Sequence, residues 1–243
     1  IDVAVVGAVD LPGDVRQVLA TQAVRPFSKS GHIRPFDPSA DGTLPGEGAV
    51  ALVLKRRRDA EGAGDRIYAA VRGLGSATGG ASDSIVPTVE AYRRALRSAY
   101  DDAGVDPATV GFVETHGSGH PPEDRLEARA VGDWFRGDRK TVLGSAKADV
   151  GHTGAASALV SVAKASLALH YRTLPPMRGS KDPRRELDGL TLPHEPERWQ
   201  DDGDGTPRRA GASSMSSTGH VGHVVLEAVD SDVAPAARAV RRG

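Results

Sequence analysis

Apolar and polar positions along the chain switch repeatedly between a strand period and a helix period. A Val-rich run from Val3 to Val9 has strand length, and Val50 to Leu54 and Ile67 to Leu74 are further β-capable runs. Asp14 to Gln22 reads as a short helix. Thr88 to Ala103 reads as an amphipathic helix, with Ala91, Ala95, Leu96 and Ala99 on one face and Gly104 placed to end it. Val110 to Glu114 is a strand that runs into His116-Gly117-Ser118-Gly119-His120. Pro122 opens a helix reaching Phe135, and Thr141 to Leu143 is a very short strand. Thr153 to Tyr171 is a long helix of Ala, Ser, Val and Leu, ended by Pro175-Pro176. Small residues on nearly every face of it predict burial between layers. Ala210 to Ser214 and Val221 to Val229 form a closing pair of strands. This order predicts an α/β fold, with helices covering a sheet on both faces.

The connections carry their own signals. Pro26 to Gly46 is rich in Pro, Gly, Asp and Ser and predicts a long ordered loop. Arg56-Arg57-Arg58 reads as a solvated strand-to-helix corner. Gly179 to Asp204 is a polar connection with little periodicity. Residues 1–229 thus read as one folded unit, and Asp230 to Gly243, rich in Ala, Arg and Asp, as a tail or linker.

Composition narrows the function classes. With 243 residues the chain is long enough to bury a sizeable core. A net charge of −1 excludes a nucleic-acid binder that works through a strong positive field. The absence of cysteine excludes disulfides, thiolate metal sites and a thiol nucleophile on this chain. No apolar run approaches the ~20 residues that cross a bilayer. Ile1 to Gly7 lacks a basic n-region, so the start reads as an entry into the middle of a domain rather than a signal peptide. A cytoplasmic protein with no membrane or nucleic-acid partner is expected.

Three side chains stand out as candidate chemistry. His116 follows a strand and precedes two glycines, which lets it face a pocket or simply cap a turn. His152 follows Gly151 and is expected at the start of the long helix, where the N–H groups disfavour an imidazolium. A neutral imidazole there can donate to a developing oxyanion, although an ordinary cap residue looks the same in sequence. Lys147 lies five residues earlier and is expected to be solvated unless a carboxylate such as Glu127 reaches it. Other patterns are weaker. His116 and His120 spell HxxxH, a zinc spacing on a helix, but Gly-Ser-Gly lies between them and Pro121-Pro122 follows. His220 and His223 are a possible second imidazole pair without helical spacing. Gly73-Leu74-Gly75 begins like a dinucleotide fingerprint, but Thr78 stands where the third glycine belongs.

Taken together, several segments resemble β-ketoacyl synthase (ketosynthase) domains of the thiolase-like superfamily, in the polyketide and polyunsaturated-fatty-acid synthase flavour. Arg34-Pro35-Phe36-Asp37, Asp41-Gly42 and Gly46-Glu47-Gly48 resemble the family's RPFD…DG…GEG stretch. Glu114 to Pro121 resembles its E-A-H-G-T-G-T-P segment, and Gly144 to Thr153 its G-S-x-K-S-N-x-G-H-T segment. Leu174-Pro175-Pro176 and Val224-Val225-Leu226-Glu227 match later landmarks, so the agreement runs across roughly residues 1 to 229.

The resemblance implies the C-terminal half of a layered α-β-α-β-α fold, with a mixed sheet covered by helices. The family's nucleophilic cysteine lies before the segment that resembles Ile1 to Asp10. It would therefore come from a partner chain, be lost to cleavage of a longer protein, or be absent from a body that no longer condenses; the first is favoured, because a half-sheet alone leaves an edge and an apolar face exposed. On its own the chain is then expected to be insoluble or molten. The implied reaction is decarboxylative Claisen condensation of acyl and malonyl-type thioesters, with phosphopantetheine delivered by acyl carrier protein and no bound cofactor or metal. His116 and His152 would stabilise the enolate oxygen, and Lys147, held by Glu127, would set the local field. Ser118 and His120 would line the phosphopantetheine channel, together with the loop Ser216, Ser217, Thr218 and Gly219. A dimer of heterodimers is the expected assembly. Four departures bear on activity: Ser217 stands at the family's gating Phe, Val221 at its Asn, Asp149 at another Asn, and His120 at a Thr that hydrogen-bonds pantetheine in the family. They keep open a non-condensing subunit, like a chain-length factor, that shapes the acyl cavity beside an active partner. A zinc-dependent hydrolase using His116 and His120 is the third reading.

Overall fold

A computed structural model describes residues 1–80, 86–137, 140–201, 203 and 205–229. The expected tail at 230–243 lies outside the described residues. Strands β1 (Val3–Asp10) and β2 (Gly48–Lys55) pair antiparallel as a two-stranded sheet, from Val3 opposite Lys55 to Asp10 opposite Gly48. Helix α1 (Val15–Val24), capped by the Asp14 side chain, buries none of its residues. Helix α2 (Arg57–Ala63) forms the solvated arginine corner, with Arg57 bridging to Glu61 one turn on and Arg56 to Asp2.

The main sheet has five strands: β3 (Ala70–Thr78), β4 (Phe112–Glu114), β5 (Val142–Gly144), β8 (Arg209–Met215) and β9 (His220–Glu227). Their order is β3-β9-β8-β4-β5; the first two pairings are antiparallel and the last two parallel. The short pair β6 (Thr173–Leu174) and β7 (Glu197–Arg198) forms a separate antiparallel ribbon.

Adjacent residues of one strand feed two different cores, as the pleat requires. Val113, Leu143 and Val225 pack with Tyr92, Ala95, Leu96 and Ala99 of helix α3 (Val89–Ala103). Phe112, Val142 and Leu226 pack with Ala165, Ala168 and Leu169 of helix α6 (Ser157–Tyr171). Helices therefore cover both faces, as the element order predicts. The limits of α3 follow the predicted caps: Thr88 accepts from the Ala91 N–H, and Gly104 closes the helix at φ 60°. Gly73 and Gly75 have a packing role rather than a nucleotide-binding one. A Cβ there would lie 2.4 Å from the Ala99 carbonyl oxygen and 2.1 Å from that of Ala95, so only glycine lets α3 lie this close to β3.

Two expectations need correction. The long helix begins at Ser157, after a single 3-10 turn at Gly154–Ala156, so His152 sits in the turn ahead of it rather than at its first residues. Nor is α6 enclosed. Its sheet-facing side is buried, while Leu167 and Tyr171 of its other side are exposed beside an apolar groove of about 490 Å³ that Val50 also lines. Val5 (72 % exposed), Val53 (70 %), Val15 (69 %) and Leu19 (63 %) are further exposed apolar residues of β1, β2 and α1.

Candidate active site

The parallel strands β4 and β5 end side by side, and the chain leaving each one delivers a candidate residue. After β4, Thr115 N–H donates to the Gly144 carbonyl and prolongs the pairing by one residue. The backbone then turns through Gly117 at φ 43°, where a Cβ would sit 2.8 Å from that of Ser145. This turn places His116 in the interior, fully buried. After β5, Ser145 Oγ donates to the Gly117 carbonyl at 2.8 Å, and the short helix α5 (Lys147–Val150) follows. Gly151 then brings His152 into a bridge with Pro45, which ties the site to the loop of residues 26–46.

The two imidazoles meet edge to face, with ring centroids 5.4 Å apart. His116 Nδ1 accepts from the Met215 N–H at 3.1 Å, and His152 Nδ1 accepts from the Gly154 N–H at 3.1 Å. A neutral ring whose Nδ1 accepts must carry its proton on Nε2. Both Nε2 atoms are buried without a hydrogen-bond partner. Burial, reinforced by the Lys147 charge, pushes His116 down to about 4 and His152 well below its ordinary range, so both rings are neutral donors at pH 7.

Lys147 is 3 % exposed and lines a cavity of about 890 Å³ that Arg34, Asp149 and Arg178 also border. Burial lowers its pKa, against the opposing charges of Glu127, Glu114 and Glu123. The expected direct hold by Glu127 is not formed: no carboxylate of a described residue lies within ion-pair distance of Lys147, and Glu127 acts on it through space. The Glu127 oxygens are instead engaged by the His116 N–H (2.8 Å), the Gly117 N–H (2.8 Å) and the Tyr92 hydroxyl (2.6 Å), so Glu127 fixes the backbone that carries His116.

The channel candidates divide. Ser118 is fully buried and donates to Glu123 at 2.6 Å instead of facing an open channel. His120 is the N-cap residue of helix α4 (Pro121–Trp134), where it makes no side-chain cap bond. Ser216, Ser217, Thr218 and Gly219 form the turn between β8 and β9, with Ser217 and Thr218 exposed; this turn starts one residue after Met215, the donor to His116. HxxxH does not lie on a helix, since His116 precedes α4 and His120 caps it. Among the described residues no cluster of three or more His, Cys, Asp or Glu is disposed to hold a metal. His220 and His223 are three apart on β9 and so point to opposite sides: His220 is exposed, whereas His223 is buried against Ser213 (2.8 Å) and Tyr100 (3.3 Å).

Sequence reasoning passed over several buried charges. Glu114, at the end of β4, accepts from the Ala146 N–H and pairs with Lys164 at 3.2 Å; burial raises its pKa. Asp124 accepts from the Phe36 and Gly119 N–H groups and is raised to about 8, chiefly by burial. Glu123 is fully buried beside Arg25. The only signal in the sequence was a pair of acids in the first turn of a helix, which reads as ordinary dipole matching on a solvated face.

A mixed sheet between helices, with two buried neutral imidazoles beyond its strand ends, has the architecture of thiolase-like ketosynthase structures. The family model for the β-ketoacyl synthase C-terminal domain matches residues 68–181, and that for the N-terminal domain matches residues 1–60. The chain belongs to the β-ketoacyl synthase family. It is 37 % identical, over 98 % of its length, to a mycocerosic acid synthase-like polyketide synthase of Mycolicibacterium smegmatis. It is 37 % identical, over 93 % of its length, to the 5-methyl-1-naphthoate synthase of Streptomyces sahachiroi. Among solved structures it resembles the ketosynthase from module 6 of the bacillaene synthase of Bacillus subtilis 168, with a TM-score of 0.88, 34 % identity and 95 % of this chain covered. The chain spans 12 % and 13 % of the two synthases and 43 % of that ketosynthase. Among the described residues no helix is long and apolar enough to cross a membrane.

Proposed function

We propose that this chain supplies the imidazole and lysine part of a ketosynthase site for decarboxylative condensation of acyl and malonyl-type thioesters carried on acyl carrier protein. The nucleophilic cysteine comes from a segment outside this sequence. The observation that carries the proposal is the pair of buried, unpartnered Nε2 donors on two neutral rings 5.4 Å apart. Such donors, already desolvated and oriented, stabilise an oxygen that becomes negative without reorganising.

In this reaction the acyl group first passes from the carrier thioester to the cysteine sulfur, and the carrier thiol leaves. The extender's bond to its carboxylate then breaks, CO₂ departs and the electron pair remains as an enolate. His116 and His152 donate to that enolate oxygen. The enolate carbon bonds to the acyl carbonyl carbon, the acyl C–S bond breaks, and the cysteine thiolate is released to take a proton. Lys147 contributes field at the imidazoles without reacting. The exposed valines of β1 and β2, the unburied α1 and the open groove beside α6 favour a complementary segment that completes the body. A dimer of such pairs is the assembly the reading carries forward.

The test is co-expression with a cysteine-bearing ketosynthase N-terminal segment, mass spectrometry of the thiol and detection of β-ketoacyl carrier protein. An acyl adduct should form in the wild-type assembly and in His116→Ala and His152→Ala. Condensation should fall by about a hundredfold or more in each variant, the effect of losing one oxyanion donor. An adduct that never forms, or alanine variants that condense at the wild-type rate, would overturn the reading. A second reading, a non-condensing subunit that shapes the acyl cavity, is favoured by Ser217 in the position of the gating Phe; it predicts a stable assembly with no condensation.

A further inference from the structure

We infer that Glu123, held in place by Arg25, is a positioning residue that orients His116 in the proposed condensation. The inference rests on that reading of the site.

Glu123 lies in the first turn of α4 with its side chain fully buried. One carboxylate oxygen faces Arg25, whose Nε donates at 2.7 Å and whose Nη2 lies 2.6 Å away. The other accepts from Ser118 Oγ at 2.6 Å. That second oxygen also stands 3.6 Å from His116 Nε2 and 3.7 Å from His120 Nδ1, both buried and unpartnered. At 3.6 Å the contact with His116 is too long for a hydrogen bond but well within electrostatic reach. The carboxylate thus biases the orientation of the whole ring without accepting its Nε2–H. Arg25 and Ser118 each engage one oxygen and hold the carboxylate at this distance. A buried carboxylate held by two donors and stopped just short of the His116 imidazole orients the ring and leaves its proton free for a substrate oxygen.

The arrangement is asymmetric. His152 has no carboxylate of a described residue within ion-pair distance, so the close contact of Glu123 is with His116, and its charge reaches His152 only from farther away. The charged and titratable groups around His116 are Arg25 from the end of α1, His120 from its own loop, Glu123 and Glu127 from α4, Lys147 from α5, and His152 from the turn beyond it. Lys147 and Arg25 oppose protonation of His116, and Glu123 favours it. Arg25 adds reach. It follows immediately after α1, whose residues are all unburied, so a segment docking on α1 would act on the Arg25–Glu123 pair and through it on His116.

The test uses the chain assembled with its cysteine-bearing segment and follows His116 by imidazole NMR across pH, alongside acylation and condensation rates. Glu123→Gln removes the charge and keeps one acceptor oxygen, toward Arg25, with its amide nitrogen toward the Ser118 hydroxyl, which can turn to accept. It should make His116 titrate lower and slow condensation roughly tenfold to a hundredfold, as for other groups that orient a working imidazole, while acyl transfer to the thiol changes by less than about twofold. Arg25→Gln frees the carboxylate to move onto Nε2 and should shift the His116 titration in the opposite direction, with Arg25→Lys restoring part of it. Unchanged titration in Glu123→Gln, or shifts of the same sign in both variants, would overturn the inference. If the titrations move as expected but the wild-type assembly does not condense, the functional reading fails and the electrostatic coupling stands.

Discussion

Glu127→Ala gives the sharpest test of how the His116 loop is held. The carboxylate receives three buried hydrogen bonds, from the His116 N–H, the Gly117 N–H and the Tyr92 hydroxyl. Alanine strands all three donors away from water, and a buried donor without a partner costs about 1–3 kcal/mol. Allowing for partial entry of water, the local cost is about 3–6 kcal/mol. Exchange protection of the His116 and Gly117 amides should therefore fall by roughly a hundredfold to ten-thousandfold, since about 1.4 kcal/mol is a factor of ten. Tyr92→Phe removes one donor and leaves the carboxylate satisfied by two backbone amides, so protection should fall by less than about tenfold. Glu127→Gln falls between the two, because its amide nitrogen must face one of the N–H donors. The assay is hydrogen exchange on the assembled protein. Protection in Glu127→Ala within tenfold of wild type would refute the reasoning, as would equal damage from Tyr92→Phe.

Two further outcomes test the frame around the site. Asp37 is buried, so desolvation opposes its charge, but bonds from Ser39, Lys181 and Asp182 outweigh this and hold it at about 2, against an ordinary value of 3.8. A depressed carboxyl contributes stability above its unfolded pKa and loses it as pH falls through the folded one. Asp37→Asn should therefore cost about 2 kcal/mol more at pH 6 than at pH 2, measured by urea unfolding, and a difference that is flat with pH counts against it. Gly75→Ala drives a Cβ to 2.1 Å from the Ala95 carbonyl oxygen and should destabilise by about 3 kcal/mol or more, whereas Gly222→Ala meets nothing within 4 Å and should cost less than about 1 kcal/mol; equal urea midpoints would show that α3 does not rest on these glycines.

His152 lies in a turn ahead of the helix it is expected to open, whereas the order of elements, the caps of α3 and the turn that carries His116 could be read along the chain. These are local properties: an apolar period, a capping threonine and glycines at positive φ act on a few neighbouring residues, so they are legible in one dimension. His116, His152 and Lys147 stood out for the same reason, being spelled out in short motifs at two strand ends. Folding alone made β4 and β5 parallel neighbours, which brings those ends together and sets the rings edge to face. Folding also chose the company of each group. Arg25 and Glu123 are 98 residues apart in the chain, and Phe36 and Asp124 are 88 apart, yet both pairs are hydrogen-bonded inside the body. A charge near a helix start looks solvated in sequence because its burial depends on distant segments folding over it. Glu127 passed for a partner of Lys147 on charge alone, whereas three nearer donors claimed its oxygens. Short motifs thus named the candidate groups, and long-range packing chose their partners, because hydrogen bonding and desolvation depend on distance in space and not along the chain.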